Sequence, residues 1–590
     1  MHKKEVLLFF MIGTFMLSGC NTKMNQDTQQ NTESSASVTT SVTEIDTSDM
    51  FSDRDKEVGY EETESVTIQL ADDGSYCESD AVSVENNTVT IAEEGTYVLS
   101  GSLSEGMVIV DAEDTDKIHL VLNSVSISNS QSAALYIRSA DKVFVTTASG
   151  TENNLENNGT YTPIDENNID AVIFSKSDLT FNGEGILTVT AQEGHGVVSK
   201  DDLVFTSGSY VITSASHGIS GKDSVRIANG SYTIVSGKDG IHAENTDDSS
   251  LGFVYMAGGT FDITSGQDGI SASAWMQAED GTYTIDAEDD TLHSNGNLVV
   301  SGGTYTLSSG DDGIHADSNA TISGGNIDIT KSYEGIEGLS IDITGGEIFV
   351  SASDDGMNAA GGNDGSGFDG PGSGGDQFAA TEGAYIYITG GVLHVNASGD
   401  GIDSNGDITV SGGETYVSGP TNNGNGTLDY SGRAVVTGGI FAASGSSGMA
   451  QNFDSSSTQG VIMVNVEEQE ANTDIVFLDS NGTELLNWTA EKAYSSIIVS
   501  CPEIKEGETY TVKAAAAEQS ITMDSLVYGN NFPAGGNPGN GGGEGNRKEN
   551  GMQEKGHGPG KMENPYGSTP PDIPSGDSIE NSTPEGGYSL

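Results

Sequence analysis

A chain of 590 residues with 88 acidic and 22 basic side chains carries a formal net charge of −66, which excludes nucleic acid and anionic membrane surfaces as direct partners. Glycine supplies 80 residues and aromatic residues only 7%. That composition is too poor in large side chains for a thick globular core, but it suits a narrow solenoid that turns on glycine at its corners.

Lys3 and Lys4 open a short basic segment, and Val6 to Leu17 form an apolar run of signal-peptide length. Leu17-Ser18-Gly19-Cys20 follows and resembles the bacterial lipobox, in which the cysteine thiol receives diacylglycerol. Residues 1–20 therefore read as a lipoprotein signal peptide with Cys20 as the lipidation site. The expected location is the extracellular face, lipid-anchored to the cell membrane, which the chain meets only through that anchor. Residues 21–60 are Gln, Thr, Ser, Asn and Asp with almost no apolar pattern, the composition of a disordered tether.

Residues 61–455 read as an all-β, right-handed parallel β-helix. Its first coils, with strands such as Thr96-Tyr97-Val98-Leu99 and Val143-Phe144-Val145, lack a strict period, as terminal coils of solenoids commonly do. Lys176, Lys200 and Lys222 then recur at one place in consecutive coils, each close to an acid. The repeat next shows itself in two ladders. Gly281-Thr282-Tyr283-Thr284-Ile285, Gly303-Thr304-Tyr305-Thr306-Leu307 and Gly325-Asn326-Ile327-Asp328-Ile329 step by 22 residues and alternate polar with apolar, so Tyr and Ile point inward and Thr outward. Asp268, Asp290, Asp312, Glu334 and Asp355 step by 22, 22, 22 and 21 residues, with Asp239 before them and Asp400 after. Each of these five is followed by a small and then an apolar residue. With a third short strand such as Leu298-Val299-Val300, a coil of about 22 residues has three strands.

A Gly- and Asp-rich insertion at 361–380 delays the coil that holds Asp400. Residues 456–530, with strands such as Ile475-Val476-Phe477-Leu478 and Tyr510-Thr511-Val512, read as a small antiparallel β domain on the C-terminal end of the helix. Residues 531–590 read as a disordered Gly/Pro-rich tail. Cys77 and Cys501 lie far apart, which argues against a bridge between them, and no zinc or redox spacing is present.

Stacked coils place successive acids roughly 4.8 Å apart. Two bare charges at that distance repel by about 3.5 kcal/mol at an effective dielectric of about 20. The column needs a counter-ion, and hard oxygen donors outside a reducing cell favour Ca²⁺. The competing account is that Asp and Asn occupy such corners because they suit turn geometry.

Segments such as Asp170-Ala171-Val172-Ile173-Phe174-Ser175-Lys176-Ser177-Asp178-Leu179-Thr180, Gly237-Lys238-Asp239-Gly240-Ile241-His242-Ala243-Glu244-Asn245 and Gly302-Gly303-Thr304-Tyr305 resemble the bacterial carbohydrate-binding-domain family of secreted β-helices. The resemblance runs from about Thr96 to Val512. It implies a fold similar to calcium-dependent polysaccharide lyases, binding of cellulose and acid sugars such as polygalacturonate, and calcium on Asp239, Asp268, Asp290, Asp312, Asp355 and Asp400, with Glu334 in the same column. Glu334, Thr291 in place of Gly, and His195 and His217 in place of Asp break the repeat. A few ions at selected coils are therefore expected rather than an unbroken column.

Lys200, Lys222, Lys238, His242, His293, His315 and Asp403 are the candidate sugar contacts or supports around the column. The expected function is binding of acidic, pectin-like, or cellulosic polysaccharide by a monomer. The alternatives are a calcium-dependent polysaccharide lyase, with one of the lysines as base, and a structural adhesin. Glycoside hydrolysis fits poorly: Asn168-Ile169-Asp170, Gly194-His195-Gly196 and Asp201-Asp202 stand in the wrong order for a polygalacturonase. Trp275 and Trp488 are the only tryptophans, so the sequence shows no exposed aromatic platform.

Overall fold

The computed structural model describes residues 47–360, 380–515 and 517–529. These form an all-β, parallel β-helix. On one face Ser231–Ser236, Thr260–Ser265, Thr282–Ala287, Thr304–Ser308 and Asn326–Ser332 pair parallel, in register except for a shift after Leu307. Their alternation puts Tyr232, Phe261, Tyr283 and Tyr305 inside, stacked with ring centroids 4.8, 4.8 and 4.4 Å apart. Each such pair adds about 0.5–1.5 kcal/mol beyond the area it buries, so the inward face of this ladder holds successive coils in register. At the turn into each strand Gly281 and Gly303 take positive φ, which the tyrosine ring folded beneath leaves open only to glycine.

A second face is built from Ile241–Ala243, Ile270–Ala272, Leu292–Ser294, Ile314–Ile322, Ile336–Ile343, Met357–Ala359, Ile402–Ser404 and Leu428–Tyr430. A third is built from Ser224–Ile227, Phe253–Met256, Met276–Ala278 and Leu298–Val300. The expected insertion falls outside the described residues except for residue 380. Across it the stack is kept, because Tyr385–Ile388 pairs with Ser340 to Ile343.

Parallel stacking ends at Ile440–Gly445, which pairs antiparallel with Tyr494–Ser500. Beyond it lies a four-stranded antiparallel sheet of Thr473–Leu478, Glu484–Ala490, Thr509–Ala514 and Ala517–Thr522. This part has its own core around Phe477, Trp488 and Tyr510, and it closes the edge that the last coil would otherwise present. Cys77 and Cys501 are both free. Cys20 and the tail from 531 lie outside the described residues.

The tether expected over 21–60 departs from the structure after residue 46. Thr47 reaches Glu279, Met50 accepts a hydrogen bond from Arg226, and Phe51 packs on Tyr255. Farther on, Asp55 pairs with Lys142 at 2.8 Å and accepts the Thr180 hydroxyl at 2.7 Å, while Tyr60 meets the His119 ring edge-on. These partners form a row along the third face, so the segment is a strap laid across consecutive coils. Burial opposes the charge of Asp55, but Lys142, Ser52 and Thr180 outweigh it and bring its pKa down to about 2. A polar composition concealed this strap because it binds by hydrogen bonds, one ion pair and isolated ring contacts rather than by an apolar stripe.

Candidate functional site

The acid turn is set by sterics. A side chain on Gly240 would come within 2.6 Å of the Gly269 carbonyl, and one on Gly313 equally close to that of Gly335. Thr291 fills the same position in one coil and turns its hydroxyl onto the Gly313 carbonyl. The next residue, Ile241, Ile270, Leu292, Ile314, Ile336, Met357 or Ile402, is buried in the core. The acid is thereby fixed at the corner.

The structure brings all seven predicted acids into one column. The carbonyl of each, from Asp239 through Asp268, Asp290, Asp312, Glu334 and Asp355 to Asp400, accepts an amide from the preceding coil, with His217 continuing the column toward the N-terminus. Oδ1 of Asp239, Asp268 and Asp290 accepts the backbone N–H of the next acid at 3.3, 3.3 and 2.8 Å. Asp355 does the same for Asp400, and Asp400 for Gly426. The turn account of these residues is therefore correct for one of their two oxygens. It leaves the other to be explained.

Three residues farther on, a second column runs beside the first: His242, Ser271, His293, His315, Glu337, Asn358, Asp403 and Asp429, paired in register on adjacent coils. In its N-terminal half Oδ2 of Asp239 lies 2.6 Å from Nδ1 of His242, Oδ2 of Asp290 lies 2.8 Å from Nδ1 of His293, and Oδ2 of Asp312 lies 3.0 Å from Nδ1 of His315. Burial opposes ionisation of Asp239, yet His217 and His242 hold its carboxyl below the usual range. Burial likewise opposes the charge on His315, but Asp312, Asp317 and Glu337 surround it and hold it protonated. Asp268 has serine, not histidine, at the paired position, and burial with the charges of Asp290 and Asp239 pushes it up to about 7 despite His293.

In the C-terminal half the imidazoles are gone. Glu334, Glu337 and Asn358 are buried, and Asp355, Asp400, Asp403 and Asp429 are partly so. Burial, then Glu337 and Asp355, drive the Glu334 carboxyl far up. Burial, then neighbouring acids, raise Asp355 to about 9, Asp403 to about 8 and Asp400 to about 7. The amide ladder also breaks here: Oδ1 of Asp312 and Oδ1 of Asn358 are buried without a hydrogen-bond partner. Asp312, Glu334 and Glu337 bring one carboxylate oxygen each within 4.8 Å of the others. Beyond the protonated His315 beside Asp312 and Glu337, this run of converging oxygens meets no cationic side chain among the described column residues and is suited to a hard cation. The imidazole-bearing half is not, so the calcium expectation does not fit Asp239, Asp268 and Asp290 as well as it fits the coils from Asp312 onward.

The lysines are not gathered around a reacting centre. Lys176, Lys200 and Lys222 do stack, through amides bonded to Ile137, Ser175 and Ser199. But Lys222 is tied to Asp247 at 2.6 Å, Lys200 lies over the Phe174 ring, and Lys238 belongs to a different column, beside Ser216. Asp170 and His195 do lie on adjacent coils. Burial, then His217, lowers His195 to about 3, so it is neutral.

One feature escaped the sequence. Phe349, His394 and Tyr416 stack on the outer surface at 4.8 and 5.0 Å and lead to a cleft of about 440 Å³ lined by Tyr416, Glu414, Trp488 and Glu491. The insertion hides the period that would have aligned Phe349 with His394.

Residues 85–356 match the model of the family described as carbohydrate-binding domain-containing protein. A protein of that description from Acetivibrio thermocellus is 36% identical over 135 residues, covering 22% of this chain and 47% of the relative. The chain thus spans about half the length of the curated relative it matches. A solved structure of a polysaccharide lyase-like protein from C. thermocellum, a gadolinium derivative, is 31% identical, covers 40% of this chain and 96% of its own, and has a TM-score of 0.39. The coils that carry the paired columns as far as Asp355 lie within the stretch that matches this family's model.

Proposed function

We propose that this is a cell-surface lipoprotein, anchored through Cys20, that binds acidic polysaccharide by way of calcium held on the oxygen-only half of the column. The observation that carries the reading is the buried, unpartnered Oδ1 of Asp312 among the carboxylates of Glu334 and Glu337, with no cationic side chain among the described residues of either column beyond His315. Asp312, Glu334 and Glu337 would hold an ion that secures the stack. Asp355, Asp400 and Asp403, which remain partly exposed, would hold one that a ligand can reach. When bound, calcium supplies positive charge that a sugar carboxylate can share. The protein's own residues fix the oxygens on rigid coils and exclude water from one side. A chain of charge −66 otherwise repels a polyuronate.

The test is retention of the full chain on immobilised polygalacturonate. Retention is expected with calcium, with loss in chelator and in Asp355→Asn/Asp403→Asn. Equal retention under all three conditions would sink the reading. Lyase activity has less support, because Lys222 is engaged by Asp247 and Lys200 and Lys238 stand in separate columns. An assay for unsaturated product on the same polymer reads it directly.

A further inference from the structure

Two histidines and one aspartate meet at the N-terminal end of the column in a way that calls for something other than calcium. Nδ1 of His217 and Nδ1 of His242 lie 3.2 and 2.6 Å from the same atom, Oδ2 of Asp239. Their rings are stacked, with centroids 4.2 Å apart and planes 15° from parallel. Neither nitrogen is aligned to give a hydrogen bond to that oxygen, and both are buried without another partner. This differs from the His293 and His315 sites, where Nδ1 is aligned with the carboxylate of its own coil.

Protons alone do not satisfy this arrangement. If only one ring carries a proton on Nδ1, the other turns a lone pair toward a carboxylate oxygen at contact distance. If both carry one, whether as neutral Nδ1–H tautomers or as imidazolium, neither N–H is aligned on the shared oxygen and each proton is buried without a hydrogen-bond partner. A single cation at the point where the three lone pairs converge removes both problems. Two imidazole nitrogens and one carboxylate oxygen form the donor set of divalent transition metals, not of Ca²⁺ or Mg²⁺.

The surroundings orient the donors. Oδ1 of Asp239 accepts the Asp268 amide, which fixes the carboxylate plane. The Glu244 carboxylate, 3.6 Å from Nε2 of His242, favours the tautomer that leaves Nδ1 free to bind metal. His195 stacks on the far side of His217 at 5.0 Å and limits its rotation. The side chains of His217 and His242 retain 12% and 18% of their exposure, so the site is reachable and further coordination positions are open to water or an oxygen ligand.

We propose that His217, Asp239 and His242 form a binding site for a divalent transition-metal ion of the Zn²⁺ class, separate from the calcium-binding coils. It does not rest on the polysaccharide reading, since its donors lie on other coils and select a different ion.

The experiment uses the full chain, stripped with chelator and titrated calorimetrically with Zn²⁺, with Co²⁺ as a spectroscopic probe of nitrogen ligation. One Zn²⁺ per chain is expected to bind in the presence of excess Ca²⁺. Affinity should fall roughly tenfold or more in His217→Ala and in His242→Gln, which keeps the side chain's size. His394→Ala, a surface histidine outside the column, should bind as the parent does, and circular dichroism should confirm that each variant is folded. Zn²⁺ binding unchanged in both folded column variants overturns the proposal, as does displacement by equimolar Ca²⁺. Loss of binding only in His293→Ala or His315→Ala places any such ion elsewhere and overturns this assignment equally.

Discussion

From Asp239 to Asp312 the acids of the turn meet four imidazoles, whereas from Glu334 to Asp400 the same turn, in the same register, is followed by carboxylates and an amide. Backbone geometry does not distinguish the two halves. What changes is the residue three places after the acid, which is His, Ser, His and His, then Glu, Asn and Asp. Charge compensation in this solenoid is thus written at a single repeat position. One half pairs its acids with imidazoles of the chain; in the other, burial and neighbouring acids push the carboxyls toward their protonated form.

The sharpest way to break this comparison is at its boundary. His315 is fully buried and meets Asp312, Asp317 and Glu337, so His315→Ala leaves buried carboxylates without a partner and is expected to cost about 3–5 kcal/mol, read by chemical denaturation. A change near zero would mean that the two halves are not electrostatically distinct. Calcium at 100 times its dissociation constant should stabilise the parent by about 2.7 kcal/mol, and Glu337→His, which extends the imidazole half by one coil, should reduce that gain. An undiminished calcium response would detach calcium from these coils.

Titration separates the halves further. Asp355, Asp400 and Asp403 have folded pKa values of about 9, 7 and 8, above their unfolded values, so the folded state binds extra protons. In chelator, stability on that side should fall as pH rises from about 4 through 9. Asp239, held low, contributes stability that is present above its unfolded pKa and is lost only in acid. A melting temperature recorded against pH should therefore decline on the alkaline side, and Asp355→Asn/Asp403→Asn should flatten that decline while leaving the acid limb in place. The smallest effect belongs to Lys222→Ala, which removes a solvent-exposed pair with Asp247 and should leave the denaturation midpoint almost unchanged.

Much of this was legible before any coordinates. The 22-residue step of the acids, the alternation in Gly281 to Ile285 and the glycine after every acid but Asp290 carry the solenoid because each is dictated within a single coil. The acid column and the His and Asp positions beside it were likewise read from the repeat. The division between a histidine half and an oxygen half was harder to see, since it depends on which oxygen is already used by a backbone amide. His217 stood out as a break in the repeat, yet its convergence with His242 on one carboxylate is a matter of side-chain orientation. The strap was illegible for another reason. Nothing local in Thr47 to Tyr60 indicates a partner face, and that face is assembled from coils spread between His119 and Glu279.

That strap also decides where load enters the molecule. A pull on the chain ahead of Thr47 reaches the coils first at Glu279, near the middle of the stack, and must then break its contacts in turn toward Asp55, Lys142 and His119. Successive rupture of small bonds yields at a lower force than simultaneous rupture, but it dissipates work over a longer extension. The coils themselves would remain shielded until the last of those contacts had gone, so the strap would act as a mechanical fuse ahead of the stacked ladders.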